Sequence, residues 1–539
     1  MMDQVPSIDA LYDNGAMSKY ATLTGISESP IQVGVLYTGS DDGLIHMSED
    51  GGSSWSKAGN LPGVPERSFI NDVEASNHNV NVVFAAADAH KLGDYSPYLF
   101  MSANRGKSWK SISGDLPQGS IVWSIKQDPV DENLLFIGAE YGIYFSPNMG
   151  QNWIKLSGAP TISFRDIELH PRDNDLIGGS FGRGVWVLDD YSALRGMGDK
   201  LSANTVFPVR DAWWYVPFVP YQAGGMPSQG SSAFRTPNPD FGAAITYYIN
   251  EVPKTKRAQR QESEKATAAR GEDVPFPGWD VLSAEAQESS SSVMLLIKEE
   301  NGEAVRWLAG STGKGLHRTH WDLRLPAPNA ISLSQPAFQP PWAGNPQGPL
   351  AAPGNYSAEL YVLNNGKLEA QGMSQAFTVK PIPSLVNGTD YAAIAAFHKS
   401  TSELYRKMNI ESRRLGEVNN KMRFMKAALM KTSNADPALF EGMDNLQKQL
   451  NYMQKTLSGD RTRGSKNEAS SPSMMSRVGN AMSWGTTQAP TATSREGLEL
   501  AKDAFMVYIA ETEIFFKAVE EFEKQLSDAG APYTPGRKN

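Results

Sequence analysis

The chain has 539 residues, 40% of them hydrophobic, and a formal charge of −9. That length suits about three or four domains with buried cores, and the acidic balance argues against a nucleic-acid partner. There is no cysteine, so disulfides and thiolate-held zinc are excluded, and no apolar run reaches the roughly 20 residues of a membrane-spanning helix.

Residues 1–20 read as a lead-in. Met1 to Asn14 lacks the basic-then-apolar order of a signal peptide, so no export signal is expected there. Residues 21–190 read as repeating units of four short strands, for example 70–75, 82–87, 98–102 and 108–112. Each of three units carries an octapeptide of the form S-x-D/N-x-G-x-S/N-W. The first contains Ser48, Asp50, Gly52 and Trp55. The second contains Ser102, Asn104, Gly106 and Trp109, and the third Ser146, Asn148, Gly150 and Trp153. An Asp or Asn before Gly in a tight turn accepts backbone N–H bonds, and Gly supplies the backbone angles. This is the Asp-box pattern. The copies recur at roughly 40–55 residues, the period of β-propeller blades. A fourth unit keeps a tryptophan, Trp186, without the octapeptide. About four blades are therefore expected, a partial ring.

Residues 191–235 read as an irregular linker, with an aromatic run from Trp213 to Tyr221 packing onto the blades. Residues 236–380 read as an immunoglobulin- or fibronectin-like β-sandwich, with strands near 243–249, 293–298, 304–308, 316–323, 356–363 and 375–379. Within it, 251–291 is polar and charged and is expected to be disordered, and 326–353 is expected to be an extended loop. From 385 to 530 the apolar period becomes helical. A bundle of three or four helices is predicted, split near 417/418, with a loop at 458–494. The fold class is thus mainly β with an α C-terminal region.

With its parts in this order, the chain resembles the C-terminal half of a bacterial sortilin-like Asp-box (BNR) repeat family, often labelled glycosyl hydrolase. The residues that carry the resemblance include Gly34–Gly43, Leu61–Pro65, His170–Ile177, Gly182–Asp190, Gly315–Arg324 and Ala352–Tyr356. It implies a periplasmic or secreted protein. It also implies N-terminal propeller blades, in the same or a separate chain, as a partner. In the xyloglucan-cleaving Asp-box enzymes, the two carboxylates come from two separate propellers. This chain holds at most one.

Several motifs resemble known chemical sites. Gly178 to Gly182 matches G-x-S-x-G, but a strand follows Ser180 where a nucleophile elbow needs a helix. Gly310 to Gly315 lacks phosphate-loop spacing and reads as a hairpin turn. His317 and His320, three apart on a strand, face opposite sides. No metal, cofactor or nucleic-acid partner is expected. Glycoside cleavage needs two carboxylates about 5–10 Å apart. Asp41, Asp42, Asp72, Asp88, Asp94 and Asp166 are candidates that no motif pairs, so catalytic residues stay unassigned. The insertion 88–95 puts Asp88, His90, Lys91, Asp94 and Tyr95 on one loop, either a ligand site or a solvated loop. Arg183, between two glycines, either binds an anion or pairs with Asp189 or Asp190. The expected role is a scaffold binding a protein or glycan. The alternative is a glycoside hydrolase completed by further blades.

Overall fold

The computed structural model describes residues 21–198, 202–217, 230, 232, 238–333, 338–340, 344–383, 388–482 and 488–537. The lead-in 1–20, and the aromatic run beyond 217, lie outside them. The chain divides into two compact units, Met1–Pro208 and Val209–Asn539.

The first unit is a succession of antiparallel sheets in chain order. Sheet one is β1 (Leu23–Glu28), β2 (Leu36–Ser40), β3 (Ile45–Ser48) and β4 (Ser56–Lys57). Sheet two is β5 (Phe69–Ala75), β6 (Val83–Ala89), β7 (Asp94–Ser102) and β8 (Lys110–Ser111). Sheet three is β9 (Val122–Gln127), β10 (Leu135–Ala139), β11 (Gly142–Ser146) and β12 (Ile154–Lys155). Sheet four has three strands, β13 (Phe164–His170), β14 (Asp175–Ser180) and β15 (Val185–Leu188). Each strand pairs with its sequence neighbour, so each sheet is a meander. No closed propeller is formed by these sheets.

The sheets stack face to face. Val35, Tyr37, Ile45 and Met47 of sheet one pack on Ile70, Val73, Val83 and Ala85 of sheet two. Phe84, Ala86 and Leu99 pack on Val122, Ile125, Leu135 and Ile137 of sheet three. Phe136 and Phe145 pack on Phe164, Ile167 and Leu176 of sheet four. The middle sheets are therefore buried on both faces, and β6 and β10 are buried along their whole length and apolar apart from Asp88, as such strands should be.

Polar groups on the first strands join neighbouring sheets. Thr24 Oγ1 donates to Ile70 O (2.5 Å), and Ala75 N donates to Ser27 Oγ (2.9 Å). Asn71 Nδ2 donates to Val122 O (2.8 Å), and Ile125 N donates to Asp72 Oδ2 (2.9 Å). Lys126 Nζ bridges Glu74 (3.2 Å) and Glu168 (3.4 Å). Residues 191–196, expected to begin a linker, form a 3-10 turn instead, with Tyr191 and Leu194 in the core of sheets three and four. Asp128 fixes this turn. It accepts from Tyr191 Oη and from two nitrogens of Arg195, all at 2.8 Å.

In the second unit, Ala212–Trp214, also expected to be linker, is a strand parallel to Lys367–Pro381. It edges a five-stranded sheet with Gly354–Asn364, Ser292–Glu299 and Ala304–Gly310. Ala243–Ile249 pairs with Gly315–Trp321 in a second sheet. Trp321 carries the packing between the two sheets, with ring centroids 5.0 Å from Tyr356 and 6.2 Å from Phe377.

The expected disorder over 251–291 is corrected by two helices, Lys256–Ala269 and Trp279–Ala286. Thr255 Oγ1 caps the first by accepting from Ala258 N, and Arg260 clamps Glu264 and Glu285 at 2.6 and 2.7 Å. The split near 417/418 is likewise corrected: Tyr391–Leu429 is one helix of 39 residues. It packs with Pro437–Ser458 and Ala492–Asp528 around Met408, Leu415, Met425, Leu450, Phe505 and Phe515. The expected loop 458–494 contains Arg461–Gly464 and Met474–Ala481, the latter burying Met474 and Val478. No helix among the described residues is long and apolar enough to cross a membrane.

Candidate functional site

The three octapeptides adopt one turn. In the first, Ser48 Oγ donates to Asp50 Oδ1 (2.8 Å), while Gly52 N donates to Ser48 Oγ (2.8 Å) and Ser54 N to Asp50 Oδ1 (2.8 Å). The second repeats it with Ser102–Asn104 (2.9 Å), Gly106–Ser102 (2.8 Å) and Ser108–Asn104 (2.9 Å). The third uses Ser146–Asn148 (3.0 Å), Gly150–Ser146 (2.8 Å) and Asn152–Asn148 (3.0 Å). Hydrogen bonds from Ser54, then from Ser48, hold the Asp50 carboxyl down at about 2. Each turn spends its polar groups on itself, which leaves little chemistry for a substrate.

The tryptophans differ. Trp109 and Trp153 are buried at 9% and 7% exposure, whereas Trp55 is 44% exposed. The sheet before each buried tryptophan covers it. Trp153 Nε1 donates to Ile112 O of sheet two (3.0 Å). Backbones touch there as well. A Cβ on Gly59 would meet Lys107 O at 2.4 Å, and one on Gly114 would meet Gln151 O at 2.5 Å.

The opposite end of the sheets carries the remaining candidates. There Phe69 pairs with Asp88, Val122 with Ala139, and Phe164 with Ser180. The 88–95 insertion is not a free loop. Asp88 lies within β6, a 3-10 turn covers His90–Leu92, and β7 starts at Asp94. Register explains this, because Ala89 pairs with Asp94 and the two strands continue into the insertion. Its side chains form two separate groups. Buried Asp88 accepts from His90 N (2.7 Å) and contacts His90 Nδ1, while its Oδ2 has no partner. Asp94 accepts from Tyr98 Oη (2.5 Å) and Ser96 N (3.0 Å), bonds that lower its pKa, and Tyr95 is exposed. Lys91 Nζ lies 4.9 Å from the Phe69 ring.

A β-bulge recurs at this end of the first strand in every sheet: between Leu23 and Gly25, Ile70 and Asp72, Phe164 and Asp166, and opposite Gly138/Ala139. The unpaired residue is Thr24, Asn71, Arg165 and Trp123 respectively. Bulges re-aim side chains. Thr24 and Asn71 reach the next sheet, as described. Trp123 Nε1 donates to Glu140 Oε2 (2.9 Å), and its ring meets His90 edge-on at 6.0 Å. The Arg165 guanidinium lies 3.4 Å from the Trp123 ring centroid and 5.3 Å from that of Phe181. Arg183 is exposed in the turn after β14, where its carbonyl accepts from Trp186 Nε1 (3.2 Å). Sequence reasoning missed Trp123, Arg165 and Phe181. Superposing the four units at their bulge positions would have found Trp123 and Arg165; Phe181, in the turn after β14, carries no such signal.

The candidate carboxylates do not come together as one open pair. Asp41 accepts from Thr22 N (2.9 Å), and buried Asp42 accepts from Ser40 Oγ (2.5 Å). Asp72 is pushed up to about 6 by burial, against the hydrogen bond from Ile125. Burial likewise pushes Glu74 up to about 7, against the attraction of Lys126. Burial pulls Lys126 down, but Glu74, Glu168 and Asp72 outweigh it and raise it. Asp166 is exposed on β13. At the other end of that strand, ligand atoms of His170, Asp173 and Asp175 lie within 4.8 Å of one another. Arg172 already pairs with Asp173 (2.6 Å), and Asp175 accepts from Asp190 N (2.9 Å). In the second unit, Gly310–Gly315 joins the strands Ala304–Gly310 and Gly315–Trp321, His317 Nε2 contacts Gly313 O (2.6 Å) and His320 lies 3.5 Å from Asp240.

No family model and no curated protein matches the chain. Among solved structures, a GH74 xyloglucanase from Xanthomonas campestris is 13% identical over 31% of this chain and 29% of that chain, with a TM-score of 0.25. YCF48 bound to D1 peptide is 17% identical over 32% of this chain and 52% of that one (TM-score 0.26). An ancestral GH74 enzyme is 14% identical over 69% of this chain and 40% of that one (TM-score 0.27). The chain thus has a weak structural similarity to β-propeller proteins and spans less than two thirds of the length of each.

Proposed function

We propose that the first unit is a propeller scaffold that binds a protein or glycan through the end opposite the octapeptide turns. One observation carries this reading. That end presents Lys91, Arg165, Arg183 and Phe181 to solvent, while the polar groups of the octapeptide turns are spent internally. The edge strands of sheets one and four support a larger assembly: Leu23 and Ile26 are exposed on β1, and Val185, Trp186 and Val187 on β15. Soluble proteins avoid open strand edges of this kind. In this reading the covering elements are further blades, in the same or a separate chain, of an exported Asp-box protein of the periplasm or extracellular space. The β-sandwich and helical bundle support the scaffold.

A second reading has its own observation. Burial pushes Asp72 up to about 6 and Glu74 up to about 7, the range in which a glycosidase acid works, and both lie on β5. A glycoside hydrolase would then need further blades to supply the second carboxylate. Polysaccharide cleavage, assayed with this chain alone and with octapeptide-bearing blades added, separates the two. The scaffold gives no sugar release in either sample. Release in the combined sample alone would establish the hydrolase.

A further inference from the structure

The bulge residues show a division of labour. Thr24, Asn71 and Trp123 each spend their polar group on the protein: on Ile70 O, Val122 O and Glu140. Arg165 does not. Among the described residues, no carboxylate or carbonyl accepts from its guanidinium. Its contacts are the two rings, Trp123 at 3.4 Å and Phe181 at 5.3 Å. Trp123 is itself 8% exposed and held by Glu140, so the cation lies on a fixed platform. Stacking uses the face of a guanidinium and leaves its N–H edges open.

We propose that Arg165 anchors a subsite for a carboxylate-bearing sugar, the uronate unit of an acidic polysaccharide. The proposal rests on the scaffold reading and names its ligand. The fork of N–H donors matches a planar carboxylate in two parallel bonds. Phe181, 73% exposed, lies beside the guanidinium and offers an apolar ring to one face of the sugar. Lys91 and Arg183, exposed at the same end and without ion pairs among the described residues, can meet carboxylates of neighbouring units. Among the acids at this end, Glu140 is engaged by Trp123, Asp88 by His90 and Asp94 by Tyr98, while Asp166 on β13 is exposed. In a chain of net charge −9, a polyanion is repelled by most of the surface and drawn to such a local cluster.

Titration calorimetry with oligogalacturonate, and with a neutral galactan oligosaccharide of equal length, tests this. The oligouronate should bind, quench tryptophan fluorescence through Trp123, and weaken with added salt. The neutral sugar should bind at least about tenfold more weakly, the worth of one charge-assisted pair. Arg165→Gln should lose a similar factor. Arg165→Lys should not restore it, because an ammonium lacks the fork. Arg172→Gln, an exposed arginine at the far end of sheet four, should change nothing. Thermal melts of each variant confirm folding. The subsite is overturned if oligogalacturonate does not bind, or if Arg165→Gln binds it as the parent does. Binding of a neutral glycan or an acidic peptide, unchanged in Arg165→Gln, would also remove the subsite while leaving the scaffold reading in place.

Discussion

The middle sheets and the end sheets of the first unit are built from the same unit and fare differently. In sheets two and three, the central strands β6 and β10 are buried along their whole length. In sheets one and four, neither β1 nor β15 has a buried residue. The octapeptide turn shows the same contrast. Its hydrogen bonds are equivalent in all three copies, yet Trp109 and Trp153 are covered by the preceding sheet and Trp55 is not. Turn chemistry is local and complete in every copy. Burial belongs to the neighbour.

Four experiments press on that contrast. The largest effect belongs to the lock between sheets three and four. Removing Arg195 leaves Asp128 buried without its counter-charge, and such losses cost about 3–5 kcal/mol. Arg195→Ala should lower unfolding stability by that amount in chemical denaturation, and a loss below about 1 kcal/mol would deny the lock. Next, Trp109→Ala and Trp153→Ala should each cost about 3–5 kcal/mol as buried aromatic truncations. Trp55→Ala should cost less than about 1 kcal/mol, as for an exposed site. Equal costs at the three positions would erase the distinction between covered and uncovered sheets.

A smaller effect concerns the join between sheets two and three. Burial raises the folded pKa of Asp72 to about 6 and of Glu74 to about 7. A carboxyl raised in this way contributes stability that is full below its unfolded value, and loses it as pH climbs through the folded one. The melting temperature should therefore fall between about pH 4 and pH 7. Glu74→Gln should flatten that slope; an unchanged slope would place the titrating groups elsewhere. The smallest effect is at the exposed first turn, where the sign reverses. Asp50 is depressed to about 2, so its contribution is present above its unfolded value, near pH 4, and fades toward pH 2. Asp50→Asn should remove that acid-side slope and leave the melting temperature near neutrality almost unchanged.

What the sequence made legible is what local chemistry decides. The octapeptides, the strand spacing and the change to a helical period after residue 385 are all short-range patterns, and the elements appear where those patterns put them. The misreadings share a cause. Residues 251–291 look disordered by composition, because Arg260–Glu285 is a contact between two helices and appears only once both are placed. The 88–95 segment looks like a loop because its residues are polar, although strand pairing continues into it. Arg165 and Trp123 carry no motif. Their meeting depends on a bulge register shared by sheets whose unpaired residues differ in kind.

The exposed edge strands of sheets one and four, β1 and β15, give the account its central claim, that further sheets of the same kind cover them. Native mass measurement of the protein purified from its own source tests this most directly. The account predicts a particle heavier than the 58.8 kDa of this chain, the excess being octapeptide-bearing sequence in the same or a second polypeptide. A particle of 58.8 kDa alone, melting cooperatively, would contradict it.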